Sequence, residues 1–331
     1  MKNPHLINSI IKSKVLVLDG AMGTMIQKLN FSESDYRGEK FKDYDILLKG
    51  NNDLLSITQP EAILNIHRAY LKAGADIIMT NTFSSTPIAM ADYKMESLVY
   101  DLNFESAQLA KKAVLEHDSE AKPRFIAGSI GPTNKTASMS PDVNNPGFRE
   151  VDFDGLVDSY FEQISALVEG GVDILFVETV FDTLNAKAAL FAIEKYNIKN
   201  SVSVPTMLSG TLTDASGRTL SGQTLEAFIT SVSHINLLSI GLNCSFGAAG
   251  LFPYIKKMSL TTDLPISVHP NAGLPNEFGE YDQSSRQMQN LIKDFLENRI
   301  VNIIGGCCGT TPDHISLISE IANDYNVRNM N

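Results

Sequence analysis

The chain holds three cysteines, and two of them stand side by side in GGCCGTTP, Gly305–Pro312. The third, Cys244, lies in GLNCSFG. Neighbouring cysteines do not readily bridge to each other, and an odd set of three is too small for a disulfide scaffold. Reactive or metal-binding thiols are the better expectation. Three thiolates brought to one point would suit Zn2+, with the fourth tetrahedral position left open as in catalytic sites. A four-cysteine structural zinc site is excluded by the count, and iron–sulfur clusters usually need four thiolates. Three sulfurs make zinc electron-rich, poor at activating water but suited to a thiol from a substrate. Coordination lowers the pKa of such a thiol, so the expected chemistry is alkylation of a substrate thiol. The competing reading is that the cysteines are small buried hydrophobes, and for Cys244 taken alone it is the stronger one.

Whether the three meet depends on the elements that carry them. Eight short apolar, β-branched runs recur: Val15–Gly20, Ala75–Phe83, Arg124–Gly131, Val172–Thr179, Pro205–Leu212, Leu237–Ser245, Leu264–Gly273 and Val301–Gly309. Near-continuous apolar runs suit strands buried on both faces of a parallel sheet. Helical patterns lie between them. Ile63, Ile66, Tyr70 and Leu71 fall on one face, with Thr58 and Glu61 as an expected capping box and Gly74 as the end. Leu156, Tyr160, Ile164 and Leu167 form a second stripe. Eight strands alternating with helices predict an α/β fold, a (β/α)8 TIM barrel, as one domain over residues 1–331. A doubly wound open sheet is the runner-up. It lacks its best sign, because DGAMGT after the first run is not G-x-G-x-x-G.

In such a barrel the chemistry gathers at the C-terminal ends of the strands. Cys244 ends the sixth run, and Cys307 and Cys308 end the eighth, so all three should reach one mouth. Thr310 or Thr311 can cap the next helix, with Pro312 in its first turn. The tract from Gly131 to Asp152, rich in Pro, Asn, Ser and Gly, reads as a long functional loop. Asp76 and Asp173 precede their runs, at the opposite end, where a structural role is expected. His269 is expected to be a packed histidine.

A net charge of −11 offers nothing to nucleic acid or to an anionic membrane surface. No apolar run approaches the ~18 residues of a membrane span. With so few cysteines and no apolar leader, a cytoplasmic location is expected.

DGAMGTMIQ, NNDLLSITQP, ADIIMTNTF, VETVFDTLNA, GLNCSFGA, VHPNAGLPN and GGCCGTTPDHI, in that order, closely resemble the homocysteine S-methyltransferase family. The likeness is greatest to the homocysteine-binding modules of cobalamin-dependent methionine synthases, and it covers nearly the whole chain. It implies a (β/α)8 barrel that converts homocysteine to methionine. It also implies catalytic zinc on Cys244, Cys307 and Cys308. The turn Asp19, Gly20, Ala21, Met22, Gly23 and Thr24 resembles the loop that contacts homocysteine, its N–H groups facing the carboxylate. A tight βα turn that needs glycine is the other reading of these residues, and the two are compatible. Glu178 matches the glutamate that binds the substrate ammonium, and a salt bridge to a neighbouring Lys or Arg is its alternative. Asn271 matches a residue that fills the fourth zinc position when substrate is absent, or is simply a turn asparagine.

The sequence has no D-x-H-x-x-G cobalamin loop, so the methyl group is expected from elsewhere. Methylcobalamin on a partner module is the first expectation. Cobalamin- and folate-binding modules would then be partners, on the same protein or on separate chains. S-methylmethionine, S-adenosylmethionine or betaine would instead make the chain a self-contained methyltransferase. A homocysteine-presenting module with little turnover of its own is the non-enzymatic alternative.

Overall fold

In the computed structural model, which describes residue 2 and residues 4–328, eight parallel strands form one sheet. They are β1 (Leu16–Val17), β2 (Ile77–Met79), β3 (Phe125–Ile130), β4 (Ile174–Val180), β5 (Thr206–Gly210), β6 (Ser239–Gly247), β7 (Ile266–Asn271) and β8 (Ile303–Ile304). Each coincides with a predicted run, although β4 and β6 extend past theirs, by one residue to Val180 and by two to Gly247. Neighbours in the sheet follow chain order, and β8 returns to pair with β1. The seam between β1 and β2 closes through the Leu18–Ile77 bridge, with the Asp19 N–H donating to the Ile77 carbonyl at 3.0 Å. The fold is therefore the expected (β/α)8 barrel, with helices such as Pro60–Lys72, Val99–Leu115, Phe153–Gly170, Thr183–Asn200 and Ser285–Glu297 between the strands.

The apolar runs make strands because both faces are covered. All six residues of β3 and all six of β7 are buried. One face joins a large core beneath the helices, and the other fills the barrel with Leu16, Leu18, Phe125, Ile174, Phe176 and Met207. Burial of each such side chain is worth ~1.5–3 kcal/mol. The N-terminal helix Pro4–Ile10 adds Ile7 and, just beyond its end, Ile11 to the interior cluster, closing the base. Asp76 and Asp173 have the structural role expected at that end. Asp76 accepts the Val17 N–H at 3.0 Å and pairs with Lys14 at 2.9 Å, while Asp173 accepts the Ile126 N–H at 3.0 Å.

Two details differ from expectation. β1 and β8 are two-residue strands, although backbone bonds between the two segments continue toward the mouth, with the Gly306 N–H donating to the Asp19 carbonyl at 3.2 Å. Thr58 does not cap the helix Pro60–Lys72. It ends the preceding short helix and donates to the Leu54 carbonyl at 3.4 Å, and Gln59 takes the N-cap position. The proline at N1 starts that helix without a hydroxyl cap. Gly74 does follow its end, at φ +107°.

Gly241, inside β6, marks the tightest strand approach. A Cβ there would lie 2.0 Å from the Ser267 backbone carbonyl oxygen on β7. Backbone cannot step aside as a flexible side chain can, so Gly241→Ala is expected to cost roughly 3 kcal/mol or more. Denaturant unfolding beside the wild type checks this, and a change within about 0.5 kcal/mol would show that the sheet yields there.

Candidate active site

The mouth of the barrel is built where strands β4 and β6 stop being regular. Register shifts fall between Val177 and Val180 in β4 and between Asn243 and Gly247 in β6. Within these bulges Thr179, Cys244 and Ser245 take left-handed backbone conformations, at φ +56°, +61° and +59°. Such conformations cost non-glycine residues about 1–2 kcal/mol each and persist only when neighbours hold them. Bulges re-aim side chains, and these two present Glu178 and Cys244.

The third contribution comes from the turn after β8. Glycine is required before the cysteines because of close approach. A Cβ on Gly305 would lie 2.8 Å from the Leu18 Cβ, and one on Gly306 would lie 2.5 Å from the Thr310 Oγ1. Thr310 is a tie as well as a cap neighbour, since its hydroxyl donates to the Cys307 carbonyl at 2.6 Å and accepts the Ala21 N–H at 3.1 Å. Thr311 is the N-cap of the helix Pro312–Ala322. The paired cysteines are thus locked against the turn after β1.

The three sulfurs converge. Cys244 Sγ lies 3.8 Å from Cys308 Sγ, Cys307 Sγ lies 4.0 Å from Cys308 Sγ, and all three lie within 4.8 Å of one another. A tetrahedral ion with Zn–S bonds of about 2.3 Å needs sulfurs ~3.8 Å apart, so the donor set and its spacing fit zinc. No disulfide links them. Hydrogen bonds from the Cys307 and Cys308 thiols pull Cys244 down to about 3, while the same contacts push Cys307 up. One sulfur of the cluster is therefore readily a thiolate even among thiols. Asn271, buried at the end of β7, contributes a hydrogen bond to Cys244, and its Oδ1 has no partner. An orphaned acceptor beside three sulfurs is a fit for a cation.

Glu178 is buried and accepts one hydrogen bond, from the Ser129 hydroxyl at 2.5 Å. Among the described residues no Lys or Arg pairs with it, so the salt-bridge alternative does not describe this carboxylate. Burial raises its pKa to about 7, partly offset by the Ser129 bond and reinforced by the Cys244 charge. Asp19 is a second buried acid, held well above the usual carboxylate range by burial, with the nearby Glu178 charge adding to the effect. Its Oδ2 accepts the Met79 N–H at 2.9 Å, and its Oδ1 has no partner. Two buried carboxylates without a cation are costly, and a cationic ligand would relieve both.

In the rest of the 19–24 turn, Gly20 is buried and Ala21, Met22, Gly23 and Thr24 are half-buried. The Ala21 N–H is already bound to Thr310, and Thr24 Oγ1 accepts the Gly309 N–H at 3.0 Å. Met22 to Thr24 form the first turn of the helix Met22–Lys28. His269 is packed, as expected, edge-on to Phe176 at 5.4 Å, and burial lowers its pKa to about 3. Three residues went unread in the sequence. Ser129 supports Glu178, Tyr281 lies against Cys308, and Asn243 ties several strands together. The signal for Asn243 was a carboxamide inside an apolar run.

The family model for homocysteine S-methyltransferases matches residues 16–322. The chain belongs to the homocysteine S-methyltransferase family. It is a methyltransferase, and solved structures carry the same fold. The Escherichia coli homocysteine methyltransferase MmuM in its metallated form is 23% identical, covers 96% of this chain and 99% of its own, and superposes with a TM-score of 0.73. The oxidized form of MmuM gives 22% identity over 96% and 99%, with a TM-score of 0.74. A B12-independent methionine synthase from Shewanella sp. W3-18-1, in complex with selenomethionine, is 12% identical over 86% of this chain and 91% of that one, at a TM-score of 0.51. No helix among the described residues is long and apolar enough to cross a membrane.

Proposed function

We propose that this family member is a zinc-dependent, cytoplasmic homocysteine S-methyltransferase whose methyl donor is methylcobalamin on a separate module. The observation that carries it is the sulfur triangle of Cys244, Cys307 and Cys308 facing the uncompensated carboxylate of Glu178. One end suits a thiol and the other an ammonium, which are the two ends of homocysteine. Cys244, Cys307 and Cys308 would hold the ion, and the Asn271 Oδ1 would occupy the fourth position until substrate arrives. A zinc ion so bound supplies the Lewis acidity that makes a coordinated thiol acidic at neutral pH.

The chain's own residues do the rest. Glu178, steadied by Ser129, takes the substrate ammonium, with the Asp19 carboxyl and its unpartnered Oδ1 nearby. The turn Gly20–Thr24 borders the carboxylate. The substrate sulfur, fixed at both ends and without its proton, attacks the methyl carbon. The S–CH3 bond forms as the donor–CH3 bond breaks, and the electron pair of the broken bond stays with the donor. Positioning and thiolate generation supply most of the rate.

A large donor is favoured by the rim. Phe83, Val143, Phe148, Leu220, Leu274 and Phe278 are exposed apolar residues on loops that follow β2, β3, β5 and β7. Apolar groups ringing one face suit docking of a cobalamin-binding module, with a folate-binding module supplying it in turn. Methionine formation should be assayed with free methylcobalamin, with a cobalamin-loaded binding module, and with S-methylmethionine, S-adenosylmethionine and betaine. Fastest turnover with the loaded module is expected. Turnover with a small sulfonium or betaine donor alone would replace this reading by a self-contained enzyme. Tight homocysteine binding with no turnover on any donor would replace it by a presenting module.

A further inference from the structure

We infer that Asn243 is a positioning residue that fixes the span between the ammonium end and the thiol end of the site, and thereby selects homocysteine over cysteine. The inference rests on the proposed roles of Glu178 and the cysteines.

Asn243 is buried in β6, directly before Cys244. Its carboxamide is fully used. Oδ1 accepts the Thr179 N–H at 3.0 Å and the Ser209 hydroxyl at 2.7 Å. Nδ2 donates to Thr179 Oγ1 at 2.8 Å and to Cys307 Sγ at 3.9 Å. A carboxamide offers two acceptor and two donor positions, and all four are engaged. One side chain therefore joins β4, β5, β6 and the turn after β8.

The Thr179 contacts matter most. A β-branched residue at φ +56° is strained, and Asn243 holds it by both its N–H and its hydroxyl. Thr179 directly follows Glu178 in the β4 bulge, so the clamp sets where the carboxylate starts. The same carboxamide is one residue from Cys244 and touches Cys307. It is thus a direct non-covalent link between the two ends of the site. Homocysteine and cysteine differ by one methylene between the α-carbon and the sulfur, so a fixed span discriminates between them. A loosened span does not.

The test is calorimetric binding of L-homocysteine and L-cysteine to zinc-loaded wild type, Asn243→Ala, and Asn243→Ala combined with Thr179→Gly. Thermal melts and zinc retention against a chelator accompany each. Wild type is expected to prefer homocysteine by about 10–200-fold, the worth of one methylene. In Asn243→Ala the homocysteine Kd should rise ~10–100-fold, as for other supporting residues of metal sites. Cysteine affinity should change far less, so the preference collapses. Glycine takes the left-handed turn without strain, so the double variant folds even where Asn243→Ala alone does not. Its preference should stay collapsed while its melting temperature recovers. A purely structural role would lower the melting temperature and leave the homocysteine-to-cysteine ratio unchanged, and that result in either variant overturns the inference. Wild type that binds no homocysteine at all would instead sink the proposed function.

Discussion

Cys308→Ala is expected to purify without zinc and to lose methyl transfer by roughly 10³-fold or more. Cys308 Sγ lies 3.8 Å from Cys244 Sγ and 4.0 Å from Cys307 Sγ, so its loss leaves two thiolates and no triangle. The cysteines are half-buried and lie outside the two apolar clusters, so the melting temperature of the metal-free form should barely move. Metal content of the reduced proteins, wild type beside variant, decides it. About one zinc per chain in the wild type and none in the variant is the expected result. A variant that keeps its zinc would remove the thiol-activation mechanism.

Glu178→Gln is expected to weaken homocysteine binding by about 3 kcal/mol, roughly a hundredfold in Kd, because a buried ammonium loses its counter-charge. The pH dependence gives the sharper signature. Glu178 titrates near 7 in the free protein, so wild-type affinity should climb as pH rises through that value and the carboxylate ionises. The Gln variant should lack that step. Stability should run the other way. A carboxyl whose folded pKa is raised from 4.5 to about 7 stabilises the fold below pH 4.5. That contribution is lost as pH rises to about 7, and its size is roughly 3 kcal/mol. Ligand-free Glu178→Gln should therefore be more stable than wild type at pH 8, although it binds substrate less well. Denaturant unfolding at pH 5 and pH 8 tests this, and equal stability at both would mean that the carboxylate is relieved by something other than substrate.

What the sequence made legible was whatever local chemistry dictates. Apolar runs located all eight strands, because strands covered on both faces have no polar side to confuse the pattern. Cys244, Cys307 and Cys308 could be placed at one mouth because strand ends were readable and the barrel gives every strand the same direction. The Asn243 clamp was not legible. Its partners Thr179, Ser209 and Cys307 lie 34 to 64 residues away, and only the register of the sheet brings them together. The serine beneath Glu178 was hidden in the same way, 49 residues upstream. The Thr58 expectation failed for a nearer reason. A proline at the first helical position starts a helix by itself, and the hydroxyl was left to the helix before it.

The closed base of the barrel has a consequence for traffic. With side chains filling the barrel and Ile7 and Ile11 wedged beneath the strands, the site at the mouth is a blind well above a packed core, with no tunnel below it. Amino acid and methyl donor must use the same doorway, and so must the methionine made below it. A donor large enough to cover the rim would act as the stopper of the well as well as its reagent. Departure of the spent donor then becomes the step that releases product, and the order of exit is the reverse of the order of entry.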